Sequence, residues 1–377
     1  MRIATIGVLG GGQLGRMLTL EAKRMGFRVI TLDPVVDSPC GQVADEQIIA
    51  EYDDPQAVAD LGARSDVVTY EFENIPLASV QALEEEGRIV RPASRVLAVT
   101  QDRLAEKRFV RGCGVMTVEF AGVACAEELE AAFTRIGFPG VLKTVRGGYD
   151  GKGQWFVRDV DEARKALSQG SGVPLIYEQF LHFDREVSVV ATRGADGASI
   201  AFPVSENLHD RGVLATSIIP ARVSPLIIER VRAAARVIGE RLGVVGTYCI
   251  EFFVRGEEIF VNEIAPRVHN SGHFSLDATQ ISQFEAHIRA ICDLPLVEPE
   301  LLRPSVMVNI LGTGEGDHLD GIPRLLTDPG LKLHLYGKTH AAVRRKMGHF
   351  TVLAPTLDEA LVRAEVGRKI LHWTAAT

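Results

Sequence analysis

Apolar residues dominate positions 3–9 and give way abruptly to three consecutive glycines, Gly10, Gly11 and Gly12. This reads as a strand ended by a tight turn. Beyond the turn the spacing changes. Leu14, Met17, Leu18, Ala22 and Met25 recur at helical intervals, so 13–25 reads as an amphipathic helix that Gly26 stops. A second strand follows at 28–32. Strand, helix and strand in this order predict a β-α-β unit in a parallel sheet. Further strands are expected at 66–70 and, briefly, at 89–90.

The segment 101–113 reads as a helical connector. Strands at 119–120, 141–144, 154–157 and 175–179 then flank an amphipathic helix at 127–136, which Gly137 and Pro139 close. A long helix is expected over 226–242. Two alternating runs, 247–254 and 259–264, lie either side of Gly256 and predict a hairpin. The last stretch, from about 301, is mixed and carries a basic cluster at Arg344, Arg345 and Lys346. The pattern divides the chain into three units. Residues 1–100 form a Rossmann-like α/β unit, 101–180 a small α+β unit with a glycine-rich loop, and 181–377 a larger α+β unit with the hairpin and a C-terminal segment.

Composition narrows the partners. The 377 residues are 46% hydrophobic and 24% charged, as expected of a globular protein with more than one core. A net charge of -8 argues against a nucleic-acid partner, which would require a basic face. It leaves room for a local basic pocket around a phosphorylated metabolite. Cys40, Cys113, Cys125, Cys249 and Cys292 are widely spaced without a CxxC pair, so they read as reduced thiols and not as zinc ligands. No leader-like segment stands out, and no apolar run approaches the roughly 20 residues that span a bilayer. The expectation is a cytoplasmic protein with no membrane partner.

Gly10 to Gly15 satisfy G-x-G-x-x-G between a strand and a helix, and Asp33 ends the next strand. That arrangement fits a dinucleotide, with Asp33 on a ribose. Physically it says only that helix N-terminal N–H groups can hold an anion. Another phosphate ligand and a purely structural turn stay open. Nothing downstream supports hydride transfer.

The hairpin carries Glu251 and Glu263 on its two strands. With a three-residue loop, Gly256 to Glu258, Arg255 pairs with Ile259 and Phe253 with Val261, so Glu251 falls opposite Glu263. Both carboxylates would then lie on one half-apolar face, roughly 5 Å apart at Cβ. Such a like-charged pair calls for a hard divalent cation such as Mg²⁺. A register one residue different would put the two on opposite faces.

Residues 146–153, Arg-Gly-Gly-Tyr-Asp-Gly-Lys-Gly, hold four glycines in eight positions. They read as a mobile loop whose N–H groups could fold over a polyphosphate and become ordered with nucleotide. The loop is not a Walker A motif, because Gly153 follows Lys152. Lys143 precedes it on a strand, and Glu178 to Leu181 end another, where a backbone edge and a carboxylate could meet adenine. Either lysine alone reads more simply as a solvated surface charge. The order of strand lysine, glycine loop, strand-end acid and carboxylate hairpin points to one nucleotide site.

That order resembles the ATP-grasp superfamily. The runs Gly12-Gln13-Leu14-Gly15-Arg16-Met17, Gly147 to Gln154, Asn262 to His273, Ile281 to Glu285 and Arg345 to His349 resemble the N5-carboxyaminoimidazole ribonucleotide synthetases across nearly the whole chain. The resemblance implies an ATP-grasp fold with an N-terminal Rossmann-like parallel-sheet domain, and an enzyme of purine biosynthesis. Its reaction would join bicarbonate to 5-aminoimidazole ribonucleotide at the expense of ATP, through carboxyphosphate. The resemblance also implies Mg²⁺ or Mn²⁺ and a homodimer.

Carried over by position, Arg103, Lys143, Tyr149, Asp150, Gly151, Lys152, Gly153 and Gln154 would hold ATP. So would Glu178, Gln179, Phe180, Leu181, Glu186, His209, Asn262 and Glu263. Glu251 and Glu263 would bind the metal. Gly11, Gly12, Gln13, Leu14, Glu71, Glu73, Tyr149, Asp150, Lys338 and Arg345 would contact the ribonucleotide. Arg267, His269 and Asn270 would surround bicarbonate, and His269 or Asp150 would accept the amine proton. Ala265 departs from the wider superfamily, where an asparagine often supplies a second metal ligand.

Overall fold

The structure, a computed structural model, describes residues 5–148, 153–170 and 172–375. Its first sheet has four parallel strands in the order Glu46–Ile48, Arg28–Leu32, Thr5–Leu9, Val67–Tyr70. The expected helix spans Gln13–Arg24 and buries Leu14, Met17, Leu18 and Ala22. These side chains pack against Phe284, Ile288 and Ile291 of the helix Gln283–Ile291, which belongs to the large unit. Each such residue, fully buried, stabilises by about 1.5–3 kcal/mol, so the docking of the first unit is apolar at heart. A polar latch sits inside it. His287 bridges Thr69 Oγ1 at 2.9 Å and the Thr247 N–H at 3.0 Å, and burial pushes its imidazole down to about 3. A neutral ring that accepts at Nδ1 and donates at Nε2 satisfies both partners.

The second sheet is antiparallel, in the order Phe120–Val123, Leu175–Gln179, Gly140–Thr144, Gln154–Val157. The helices Ala126–Ile136 and Val160–Gln169 cover one face, with Leu129, Leu142, Ala163 and Leu175 closing the core between them. The helix Arg103–Gly112 leads into this unit.

The third sheet has nine strands. The hairpin lies at one edge, next to the strand Arg185–Arg193. The helix Pro225–Leu242 packs beneath it; Ser224 caps its start, Pro225 opens it and Gly243, at φ 65°, ends it. The stretch that read as mixed continues this same sheet through Ser305–Leu311, Lys346–Leu353 and Leu331–Leu335. Strand 346–353 contains the basic cluster's Lys346, so that residue opens a largely buried strand.

Candidate active site

Gly246–Arg255 and Glu258–Ala265 form the expected hairpin. Its loop holds two residues, Gly256 and Glu257, and not three. Val254 therefore pairs with Ile259, Phe253 with Phe260 and Phe252 with Val261. Phe253 does not oppose Val261, as the spacing suggested. Continued unbroken, this register would set Glu251 opposite Asn262 and turn Glu263 to the other face. A bulge intervenes: Asn262 is skipped, and Glu251 stands opposite Glu263.

Burial, and then the Glu263 charge, push the Glu251 carboxyl up to about 8. The paired carboxylates thus suit a cation, and their oxygen donors suit Mg²⁺. Among the described residues no group of three or more His, Cys, Asp or Glu side chains is arranged for a metal ion. Two glutamates would supply part of a shell, which Mg²⁺ commonly completes with phosphate oxygens and water. Three more groups converge here. His269 Nε2 lies 3.3 Å from Glu251 Oε1, and Glu186 hydrogen-bonds His209 Nδ1. Burial opposes a charge on His209, but Glu186 and Glu251 outweigh it and raise its pKa.

A second cluster joins the small unit to this hairpin. Lys143 Nζ donates to Glu178 Oε2 at 2.7 Å, and Lys107 Nζ lies 3.4 Å from Glu178 Oε1. Burial would lift the Glu178 carboxyl, but the two ammonium groups hold it at about 2. Lys107 also donates to Thr117 Oγ1 and to the carbonyl of Asn262, both at 3.2 Å. It thereby ties the strand end at Glu178 to the bulge that pairs the glutamates. Its neighbour Glu106 accepts from the Ile264 N–H at 3.0 Å, and burial raises its carboxyl to about 8.

Neither Lys107 nor Glu106 was picked out by motif. The available signal was their position: with Val110 they occupy the buried side of the helix Arg103–Gly112. Removing one partner of a buried ion pair costs about 3–5 kcal/mol. Lys107→Met should therefore lower the melting temperature and raise KM for ATP by roughly tenfold or more. A variant with parental ATP binding would take Lys107 out of the nucleotide site.

Arg103 donates to the carbonyls of Thr144 and Gly148, both at 2.8 Å, and so holds the root of the glycine loop. Gly153 accepts from the Thr144 N–H, and Gln154 pairs with Lys143. The N–H groups of Gln179 and Phe180 are already given to Glu119 and Pro139 carbonyls, which narrows the edge open to a base; Leu181 is buried beyond them. Tyr149, Asp150, Gly151 and Lys152, and with them the expected ordering of the loop, lie outside the described residues.

The N-terminal turn is not an empty anion cradle. Asp33 accepts from the Gly11 N–H at 2.6 Å, and Glu71 accepts from those of Gly12 and Gly15, both at 3.0 Å. Asp33 also takes the Tyr52 hydroxyl. Carboxylates of the chain itself occupy the helix N-terminus, and Asp33 is not free for a ribose. Gln13 and Leu14 open the helix beside them.

Two residues further on, Glu73 is hydrogen-bonded to Arg267 Nε. Burial works against the Glu73 charge, yet Arg267 keeps its carboxyl below the usual range. The pair joins the first sheet to the strand end after the hairpin. Gln42 donates to the Gly337 carbonyl at 3.0 Å, bringing the segment with Lys338 to the same edge. Lys338 donates to the Lys346 carbonyl at 2.7 Å, and Lys346 adds its charge near Glu73, Glu251 and His269. Arg345 is exposed and donates to the His340 carbonyl. Asn270, expected beside bicarbonate, exchanges amide hydrogen bonds with Asn309 at 3.0 and 2.7 Å. Its polar atoms are engaged in holding that buried pair.

Comparison with known proteins matches this architecture segment by segment. Residues 3–101 match the ribonucleotide synthetase preATP-grasp domain, 108–284 the ATP-grasp domain, and 305–363 the phosphoribosylaminoimidazole carboxylase C-terminal domain. The N5-carboxyaminoimidazole ribonucleotide synthase of Brucella melitensis is 44% identical over 355 residues, covering 93% of this chain and 97% of that one. That of Bacillus subtilis is 42% identical over 357 residues, covering 94% and 93%. A solved structure of the Aspergillus clavatus N5-carboxyaminoimidazole synthase with ADP and 5-aminoimidazole ribonucleotide is 31% identical. It covers 98% of each chain at a TM-score of 0.92. The chain, with its preATP-grasp parallel sheet and ATP-grasp lobes, belongs to the N5-carboxyaminoimidazole ribonucleotide synthase family of ATP-grasp ligases.

Proposed function

We propose that this chain carboxylates the amine of 5-aminoimidazole ribonucleotide with bicarbonate, converting ATP to ADP and phosphate through carboxyphosphate. Family membership supports the ATP-dependent carboxylation itself, a step of purine biosynthesis. The observation that carries the finer reading is the convergence of three groups: the Glu251–Glu263 pair, the Lys107–Glu178–Lys143 cluster and the Arg267–Glu73 pair.

Each group has a chemical task. Glu251 and Glu263 would hold Mg²⁺, or Mn²⁺ with the same oxygen donors, and the cation would neutralise phosphate charge. Lys143, with Arg103 at the loop root, would bind and orient the triphosphate. Bicarbonate is a poor electrophile, so its oxygen must first take the γ-phosphoryl group. Arg267, fixed by Glu73, would hold both the bicarbonate carboxyl and the transferring phosphoryl group. Glu71, Glu73, Lys338 and Arg345 would place the ribonucleotide so that its amine meets the activated carbon. Asp150 or His269 would receive the amine proton.

Among the described residues, no helix is long and apolar enough to cross a membrane, and all five cysteines are free. A homodimer is carried over from the family, while a cytoplasmic location and the lack of a nucleic-acid partner rest on the sequence and its net charge of -8.

The deciding assay is ADP release with bicarbonate, formate or glycine, with and without aminoimidazole ribonucleotide. Bicarbonate and the ribonucleotide together should be required. Release driven by formate or glycine would make this a ligase of another kind, and ATP binding without turnover would make it a regulator. Lys338→Ala and Arg345→Ala should raise KM for the ribonucleotide while leaving ATP binding nearly unchanged. Equal weakening of both substrates would refute their place at the ribonucleotide.

A further inference from the structure

A buried chain of hydroxyl and amide groups runs beneath the carboxylate hairpin. Strand pairing sets it out. Ser188 is the cross-strand partner of Glu251 on one side and of Ser205 on the other. Ser217 is the partner of Asn207. Ser188, Asn207, Ser217 and Ser271 are all at most 4% exposed. Ser217 Oγ donates to Asn207 Oδ1 at 2.8 Å, and Asn207 Nδ2 donates to Ser188 Oγ at 2.8 Å. Ser188 Oγ then donates to Ser271 Oγ at 2.7 Å, and Ser271 Oγ lies 2.8 Å from His269 Nδ1.

The direction of this chain follows from counting protons. A serine hydroxyl has one hydrogen. Ser188 receives from Asn207 and gives its own hydrogen to Ser271 at 2.7 Å, so Ser205 Oγ, 3.1 Å away, can only be a second donor to it. Ser271, having received, has its hydrogen left for His269 Nδ1. An independent contact agrees: the Ser271 backbone N–H also points at His269 Nδ1, at 3.3 Å. A nitrogen facing two donors is an acceptor. The ring hydrogen must then sit on Nε2, and Nε2 is the atom 3.3 Å from Glu251 Oε1.

We propose that the Asn207–Ser188–Ser271 chain locks His269 as its Nε2–H tautomer, so that the N–H lies on the nitrogen nearest Glu251 and can turn to that carboxylate, and His269 is not the group that takes up the amine proton. His269 is a positioning residue in this arrangement, acting as the outer partner of a carboxylate that would hold the metal. Ser188 and Asn207 are positioning residues one and two steps further back. The proposal rests on the reading of Glu251 above, and it removes one of the two proton acceptors that reading left open.

The tautomer can be measured on the ligand-free protein by long-range ¹⁵N–¹H correlation with labelled histidine. His269 is assigned by the signals lost in His269→Gln. An unprotonated Nδ1 and a protonated Nε2 are expected; the reverse pattern overturns the proposal. Ser188→Ala should move both nitrogens toward an averaged tautomer, and unchanged nitrogens would remove the chain from the argument. Asn207→Asp reports on the same link if Ser188→Ala does not fold, since a carboxylate there accepts where the amide donated.

Activity supplies a separate arm. A glutamine amide reaches about as far as Nε2 and donates, but has no basic nitrogen. His269→Gln should keep turnover within about tenfold of the parent, while His269→Ala loses roughly 10- to 100-fold more, the worth of one hydrogen bond to a charged group. Equal inactivity of the two would instead mark His269 as a base. A protein with the expected tautomer that fails to carboxylate would sink the functional reading and leave the tautomer lock standing.

Discussion

Glu251→Gln and Glu263→Gln are each expected to lower turnover by on the order of 10³-fold while melting no lower than the parent protein. The two effects have opposite signs for one reason. The carboxylates stand opposite one another, Glu251 half-buried and Glu263 exposed, and desolvation together with the Glu263 charge pushes Glu251 up to about 8. An amide of the same shape removes that repulsion, so folding gains or is unchanged. The same amide is a poor ligand for a hard cation and supplies no charge to hold one beside a triphosphate. Excess Mg²⁺ should restore little if, as proposed, the lost group is a ligand and not merely a counter-charge. The measurement pairs steady-state turnover across a Mg²⁺ titration with thermal melting of the ligand-free variants. Parental activity at saturating Mg²⁺ in either variant would remove the metal assignment. A drop of several degrees in melting would show that the pair is structural first.

The hairpin also shows where the sequence was legible and where it was not. Strand positions and the identity of the two glutamates followed from alternation and from Gly256. The pairing did not. The spacing fits a three-residue loop, but the hairpin uses two residues, and a bulge at Asn262 restores the Glu251–Glu263 pairing. Nothing local announces that bulge. It is held by Lys107, more than 150 positions earlier, and a contact so distant leaves no periodic trace.

The same limit explains the N-terminal turn. G-x-G-x-x-G correctly marked a strand-to-helix turn, because only local backbone geometry is needed for that. What sits on its N–H groups, Asp33 and Glu71, depends on which strands lie side by side. The buried lysine and the hydroxyl chain escaped for a further reason. A serine in a valine-rich strand and a lysine on a helix have ordinary solvated readings, and burial alone separates the two. The C-terminal stretch lacked clear alternation because its strands are covered on both faces, with Phe350, Val352, His349 and Thr351 all buried.

The order of bond making is the remaining question, and heavy-oxygen bicarbonate answers it. If a bicarbonate oxygen attacks the γ-phosphorus, a P–O bond to that oxygen forms as the bond to ADP breaks. When the carboxyl group later leaves for the ribonucleotide's amine, the C–O bond breaks and the oxygen stays on phosphorus. One labelled atom per turnover should therefore appear in the released phosphate. Direct phosphorylation of the ribonucleotide would draw that oxygen from the ribonucleotide, and plain ATP hydrolysis would draw it from water.

The experiment needs rapid mixing and quenching, because bicarbonate exchanges its oxygens with water through CO₂. Arg267 gives the test a residue-level arm. It is fixed by Glu73 and its pKa is raised above its already high usual value: burial works against the charge, but Glu73, and then Glu71 and Glu263, outweigh it. It therefore stays a cation throughout, able to bridge carboxyl and phosphoryl oxygens. Arg267→Ala should slow labelled transfer by roughly 10²- to 10³-fold, as loss of one charge-stabilising group does. Unlabelled phosphate from the parent enzyme, with labelled bicarbonate intact at the quench, would rule out carboxyphosphate while leaving the ligase assignment in place.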